Sequence, residues 1–341
     1  MDTRDILNFT RETLASELSK IGAPRYRVDQ IFQWLYKRGA TSFAQMGNLS
    51  PHVRERLREI FHIGRLRVKD KRISFDGTVK YLLQLEDSQT IETVYIPGKA
   101  RATVCVSSQV GCRHGCRFCA STKAGLVRNL AVSEIVEQVM CLRADLRLPV
   151  TNLVFMGIGE PFDNYENTIQ ALRICNDPHA FGIGARKMTV STCGIIPRIR
   201  QFAQEGLQVE LSVSLHSARD DVRSRIVPIN KRYPVRELIR SCKEYTRATG
   251  RVITFEYVLL KGVNVSGDDA RLLARLLRGF TCKVNCIAYN AVAALGYEPP
   301  DREEIRGFIG ILRTAGINVT LRKSKGQDIE AACGQLRIVQ R

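Results

Sequence analysis

The chain has 341 residues, 44% of them hydrophobic, which is enough to bury a sizeable core in one large domain or in a large and a small one. Its 52 lysines and arginines against 34 acids give a net charge of +18, and an excess of that size points to polyanionic partners. The opening MDTRDILNFT has acids and no apolar h-region, and no stretch approaches the roughly 20 apolar residues of a membrane span, so the sequence predicts a cytoplasmic protein with no membrane partner.

Residues 1–62 read as a small helical unit. Leu14, Leu18 and Ile21 follow helical spacing, and Val28, Ile31, Phe32, Trp34 and Leu35 form one broad apolar stripe. From Arg54 to Arg72 eight lysines and arginines face only Glu55, Glu59 and Asp70, which makes this stretch a candidate polyanion-binding surface or, equally, a solvated basic face. Residues 63–103 predict a β-rich extension, with Asp76-Gly77 as a hairpin signal between RLRVKDKRISF and TVKYLLQLE, followed by TIETVYIP.

Residues 104–341 alternate strand-like and helix-like segments, from ATVCVSS and SEIVEQVMCLRADL through to EEIRGFIGILRTAG and NVTLRKS. Six or so such repeats predict an α/β fold: a parallel sheet covered by helices and curled as a full or partial barrel, although a flat doubly wound sheet fits the same rhythm. In either geometry ligands gather at the C-terminal ends of the strands. Gly157, Gly159, Glu160, Ser191, Ser214, His216 and Asn290 all fall there.

Eleven cysteines in a cytoplasmic chain point to metal binding or thiol chemistry and away from a disulfide framework. The sharpest motif is Cys112-Arg-His-Gly-Cys116-Arg-Phe-Cys119, directly after the first strand of the alternating region. Three thiolates at this spacing can hold three irons of a [4Fe-4S] cluster and leave the fourth open. A zinc site would need a fourth ligand, for which His114 is the candidate. The spacing at a first strand end is characteristic of radical S-adenosylmethionine (SAM) enzymes, and Gly157-Ile-Gly159-Glu160-Pro161 resembles their motif for the methionine amino group. The polar strand-end groups Ser191, Ser214-Leu215-His216 and Asn290 are candidates to hold ribose, carboxylate and adenine.

Longer strings carry a resemblance that covers nearly the whole chain. YRVDQIFQWLYKRG, SFDGTVKYLL, VCVSSQVGCRHGCRFCASTKAG, MGIGEPFDNYEN, SLHSARDDVRSRIVPINKRYP and DIEAACGQLR resemble the RlmN/Cfr family of radical-SAM RNA methyltransferases, on the RlmN side. That resemblance implies a partial (β/α)6-type barrel, a [4Fe-4S] cluster and SAM as cofactors, and two SAM consumed per methyl. It implies methylation of C2 of adenosine 2503 in 23S rRNA and of adenosine 37 in some tRNAs. It further implies an electron donor such as flavodoxin or ferredoxin, and a monomer is the default state. Cys333, in AACGQL, matches the family's methyl-carrying cysteine, whose methyl loses a hydrogen to a 5'-deoxyadenosyl radical and then adds to adenine. Cys105, in VCVSS, matches the cysteine that releases the RNA by forming a disulfide with Cys333, and Glu92, in IETVYIP, matches the proton acceptor. A radical route suits this target, because an aromatic C–H at C2 is too weakly acidic and nucleophilic for direct methyl transfer. A thiol is the side chain able to accept a methyl and later leave.

Cys141, Cys175, Cys193, Cys242, Cys282 and Cys286 match no catalytic motif and are expected to be core thiols. The family's Pro-x-Asn-Pro is here Ala288-Tyr289-Asn290-Ala291, which keeps the asparagine in a less rigid loop. Two alternatives stand beside C2 methylation. One is Cfr-like methylation of C8 of the same rRNA adenosine, giving antibiotic resistance; the other is a non-catalytic RNA-binding protein with a structural iron–sulfur cluster.

Overall fold

Local capping sets the N-terminal helices. Thr10 Oγ1 accepts the Thr13 N–H at 3.3 Å to start α1 (Arg11–Lys20), and Ser50, followed by Pro51 at the first helical position, starts α3 (Pro51–Ile60). Between them α2 (Tyr26–Phe32) runs on as a wider π turn over Gln33–Lys37, which the helical periodicity did not signal. Two-residue strands β1 (Arg4–Asp5) and β2 (Phe61–His62) pair in parallel and bring the two ends of this unit together. The apolar stripe turns inward: Val28, Ile31, Phe32 and Leu35 join a core that continues without a break from Ile6 to Val319. The computed structural model describes residues 3–292 and 295–337; residues 1, 2 and 338–341 of the expected terminal domains, and Ala293-Ala294 of the loop after Asn290, lie outside them.

The predicted extension is three antiparallel strands, β3 (Arg67–Ile73), β4 (Val79–Gln84) and β5 (Thr90–Pro97), with Gly77 at φ +80° in the hairpin turn where a side chain would be strained. They continue the barrel sheet directly. β5 pairs antiparallel with β6 (Ala102–Cys105), and from β6 onward every pairing in this sheet is parallel. The order across the sheet is β6, β9 (Asn152–Phe155), β10 (Met188–Thr192), β11 (Glu210–Ser214), β12 (Ile253–Leu259), β13 (Cys282–Ala288) and β14 (Asn318–Arg322). Each parallel strand lies beside its predecessor in sequence, so the sheet never reverses. That winds it one way, as a barrel requires, and rules out the doubly wound alternative. The covering helices are α4 (Val132–Leu146), α5 (Tyr165–Asn176), α6 (Ile196–Phe202), α8 (Val235–Thr249), α9 (Gly267–Leu277) and α10 (Arg302–Thr314), one per strand up to β13.

Three elements were not expected. β7 (Gln109–Gly111) and β8 (Leu126–Asn129) pair antiparallel and clamp the cysteine-rich loop between them, and α7 (Asp220–Ile226) packs beside that loop. Among the described residues no helix is long and apolar enough to cross a membrane.

The helical unit docks on α4. Asn8 Oδ1 accepts the Ser133 N–H at 2.9 Å, Arg143 donates to the Tyr36 carbonyl at 3.0 Å, and Glu137 accepts the Leu66 N–H at 2.5 Å. Glu137 is buried, and its pKa is pushed up to about 8, first by that burial and next by Asp5, with Glu86 and Glu134 adding to it; His62, Arg65 and Arg128 line the same cleft. A carboxyl raised from its ordinary 4.5 binds its proton more tightly folded than unfolded, so its stabilising contribution is complete below about pH 4.5 and is lost as the pH rises toward 8. Glu137→Gln is therefore expected to stabilise the protein at pH 8 by on the order of 2–4 kcal/mol and to change little at pH 4.5. Melting curves at the two pH values check this, and an equal shift at both would place the proton elsewhere.

Candidate active site

A cavity with about 980 Å³ of free space, its open mouth included, lies at the C-terminal ends of β9–β13. That is room for a nucleoside-sized ligand beside an inorganic group, far more than one ion needs. Cys112, Cys116 and Cys119 line one side of it. Their loop is fixed by its own backbone: the Cys112 N–H reaches the Gly125 carbonyl at 2.9 Å, the Arg117 N–H reaches Ile226 at 2.9 Å, and Thr122 Oγ1 donates to the Cys116 and Cys119 carbonyls. Burial pushes Cys112 up to about 12, with Glu160 and then Cys119 adding to it, and pushes Cys116 well above the ordinary thiol range, with Cys119 and Cys112 adding to it; a bound cation would favour the thiolates. Among the described residues no three His, Cys, Asp or Glu side chains converge on a single-ion site. His114 turns to Asp163, 3.8 Å away, and does not complete a zinc tetrahedron. Three thiols around a space, not around a point, fit a cluster that takes one thiolate on each of three irons.

The glycines of the second motif are sterically obligatory. A Cβ on Gly157 would lie 2.7 Å from Ser107 Oγ and from the Val106 carbonyl, and one on Gly159, at φ +106°, would lie 2.7 Å from Gln109 Cβ. Both residues line the cavity through their backbone. The buried Glu160 spends its carboxylate on the protein, accepting the Phe162 N–H at 3.0 Å and the Cys193 N–H at 2.7 Å, which ties the ends of β9 and β10 together. Ser191 and Ser214 line the cavity as expected. Leu215 does not; its side chain is fully buried in the main core and only its backbone belongs to the strand end. His216, at φ +57°, accepts the Val258 N–H on Nδ1 at 3.0 Å, and burial lowers its pKa to about 3. It is a neutral imidazole carrying its proton on Nε2.

Asn290 holds the carboxy-terminal segment, donating to the Cys333 carbonyl at 3.2 Å and accepting from Gln327 at 2.7 Å. Further bonds knit that segment down: Ala120 N–H to Gly334 at 2.8 Å, Ser121 Oγ to Leu336 at 2.6 Å and Lys80 Nζ to Glu330 at 3.1 Å. Cys333 consequently sits on the wall between the main cavity and a smaller one that also contains Cys105. Cys105, the last residue of β6, is buried, and that burial, with the Cys333 thiol next to it, pushes it up to about 12. All eleven cysteines are unpaired in the structure. Glu92 is not in either cavity. It lies in an adjacent cleft with Lys69, Arg72 and Arg337, its Oε1 3.0 Å from Lys80 and its Oε2 accepting the Arg337 N–H at 2.8 Å. Burial outweighs those partners and raises its pKa.

Three site residues escaped the sequence reading. Arg322 lines both cavities, its charge favoured first by Cys333 and then by Glu256 and Cys105. Glu256 is buried at the wall of the main cavity, where its Oε2 accepts from Asn285 Nδ2 at 2.8 Å. A lone charge in ITFEYVL and a charge at the end of NVTLR were signals that could have found them. Arg223, fully buried in α7, gave none.

A model of the radical SAM superfamily matches residues 106–273, and a model of the ribosomal RNA large subunit methyltransferase N-terminal domain matches residues 4–63. A Thermoanaerobacter protein named "Probable dual-specificity RNA methyltransferase RlmN" is 46% identical over 98% of this chain and 97% of its own length. The chain belongs to the RlmN family. A Staphylococcus aureus RlmN relative is 45% identical over 100% of this chain and 94% of its own. The crystal structure of a radical SAM methyltransferase from Sphaerobacter thermophilus superposes with a TM-score of 0.93 at 45% identity, covering 98% of this chain and 99% of that one. The RlmN family is one of radical-SAM RNA methyltransferases, whose cofactors are SAM and a [4Fe-4S] cluster. The thiol donor set and the size of the cavity fit both.

Replacing Gly159 by Ala should cost on the order of 2–4 kcal/mol, since the added methyl meets the Gln109 backbone and the backbone angle strains any side chain. Thermal unfolding of the iron-free variant measures it; a melting temperature equal to that of the parent would show that the loop yields.

Proposed function

We propose that this chain methylates C2 of adenosine 2503 in 23S rRNA and of adenosine 37 in some tRNAs, using two SAM per methyl. The observation that carries the reading is the placement of Cys333 between the cluster-side cavity and the pocket of Cys105. When bound, the cluster on Cys112, Cys116 and Cys119, together with SAM, supplies a carbon-centred radical and the methyl group. The residues do the rest. Gly157, Gly159, Glu160, Ser191, Ser214, His216 and Asn290 line the space that would take SAM, with the backbone at Leu215 shaping the strand end.

Cys333 gives up its thiol proton and takes the methyl; after loss of one hydrogen, that carbon bonds to adenine. The ring adduct so formed gives up one electron to the external redox partner and its ring proton to a base. The Cys105 thiolate then attacks the Cys333 sulfur, the S–S bond forming as the S–CH2 bond breaks, and the released carbon takes up a proton to become the methyl, the disulfide being opened later by an external thiol or reductant. Glu92 is proposed to take the adenine proton from its cleft, where burial makes it a stronger base than a surface carboxylate. Residues 1–62 and 63–103 are proposed as the RNA-docking parts and 104–341 as the catalytic barrel, acting as a cytoplasmic monomer fed by a flavodoxin- or ferredoxin-type donor.

If this is right, Cys105→Ala should accumulate covalently bound to RNA, and the adduct should survive denaturation, require Cys333, and shrink under RNase to a nucleotide-sized mass on the Cys333 peptide. Mass analysis of product nucleosides separates C2 from C8 methylation, and no methylated product at all would favour the non-catalytic reading. A Cys105→Ala variant that turns over normally without an adduct removes Cys105 from the route.

A bulge between Val68 and Asp70 places Lys69 and Arg72 together on the wall of the Glu92 cleft, along an exposed edge strand. Reversing Arg67, Lys69 and Arg72 to Glu should lower the salt dependence of RNA binding by about 0.7–0.9 for each phosphate no longer neutralised, while SAM cleavage persists. A slope equal to that of the parent would move the RNA site off this strand.

A further inference from the structure

Arg223 is 0% exposed, yet no carboxylate pairs with it among the described residues. Its hydrogen bonds all go to neutral oxygens: the carbonyls of Leu215 and Ser214 at 2.9 Å, that of Cys193 at 2.8 Å, and Asn230 Oδ1 at 2.9 Å. These bonds satisfy its N–H groups without neutralising its charge. Asp220 acts on it only from beyond Asn230, whose Nδ2 donates to Asp220 Oδ1 at 2.9 Å. A guanidinium buried in this way is costly unless an anion lies close by.

The described residues place no carboxylate against this charge; what they place beside its helix is the cysteine loop. Val222 and Ile226, which flank Arg223 on α7, pack in one apolar cluster with Phe118 and against Cys116 and Cys119. The Arg117 N–H bonds to Ile226 at 2.9 Å, so α7 is also tied by backbone to the cysteine loop. A four-iron core held by three thiolates is a net anion, and reduction by one electron from an external donor makes it more negative by one charge.

We propose that Arg223 is the buried counter-charge of the iron–sulfur cluster, and that it holds the cluster's reduction potential up so that the electron needed to start the reaction can be accepted. The proposal rests on the assignment of the cluster to Cys112, Cys116 and Cys119. Arg223 touches no reacting atom; it is a positioning residue for the β10 and β11 ends whose charge also sets a potential. Net charge and burial around a cluster are among the factors that set its potential.

The test is a redox titration, followed by electron paramagnetic resonance, of the full-length protein loaded anaerobically with iron and sulfide. In Arg223→Gln the ratio of reduced to oxidised cluster at a fixed potential should fall at least tenfold, which is a midpoint about 59 mV more negative for one electron. Arg223→Lys, which keeps the charge but not the fork, should stay within about threefold of the parent on the same scale. Asn230→Asp keeps the fork and supplies the absent carboxylate, so it should fall as Arg223→Gln does, and it gives the answer if Arg223→Gln does not hold iron. Midpoints equal to that of the parent in the charge-removing variants overturn the proposal, as does loss of the cluster from all three variants or a Lys variant that falls as far as Gln. Failure of the parent to load four irons, or retention of the cluster by Cys112→Ala, instead removes the cluster assignment itself.

Discussion

Parallel strands end with unpaired backbone groups, and the loops that follow must satisfy them without filling the space where a ligand binds. In this protein buried side chains do that work. Glu160 bridges the ends of β9 and β10, Arg223 collects carbonyls from the ends of β10 and β11, and Asn264 accepts the Leu260 N–H at 2.7 Å while donating to the His216 and Val258 carbonyls. Each such group is itself polar and buried, so each is stable only with its full set of partners. The cavity exists because its rim is held from behind.

The same logic explains why the N-terminal unit is part of the fold and not an appendage. Its contacts land on α4, and α4 in turn holds the start of the catalytic barrel: Gln138 accepts the Ser107 N–H at 2.8 Å and donates to the Ser107 carbonyl at 2.9 Å. Ser107 follows β6 and, through its hydroxyl, accepts the Ile158 N–H at 2.9 Å within the glycine motif. Helix α4 therefore links the contacts of the N-terminal unit to the loop that carries the glycine motif.

Much of this was legible in the sequence, for physical reasons that differ by element. Strand and helix order followed from alternation of period, and the cysteine loop from spacing alone. Ser191, Ser214, His216 and Asn290 were found because ligands collect at strand ends, a property of parallel sheets in general. What escaped notice was set by tertiary contact. α7 is only seven residues long and follows a loop, so it had no periodicity to show, and Arg223 within it looked like one more charge in a basic chain. Leu215 shared a motif with its neighbours but turned its side chain to the core, as alternate residues of a strand end do. Glu92 lies on the same face of the sheet as Cys105, but the segment carrying Glu330 and Arg337 closes over it, which no local pattern could reveal.

The exposed strand β3 has a second consequence. A ten-stranded sheet that does not close leaves an edge, and an edge offers its backbone to any passing strand. Here that edge carries Arg67, Lys69, Lys71 and Arg72 with a bulge between them, while Phe75 at the hairpin is fully exposed. Lys71 pairs with Asp145 and Arg72 with Asp70, and charged side chains with a broken register are what discourage such an edge from recruiting copies of itself. Replacing its cations with β-branched apolar residues would trade a repulsive edge for an aggregating one, whereas acids in the same places would leave it repulsive.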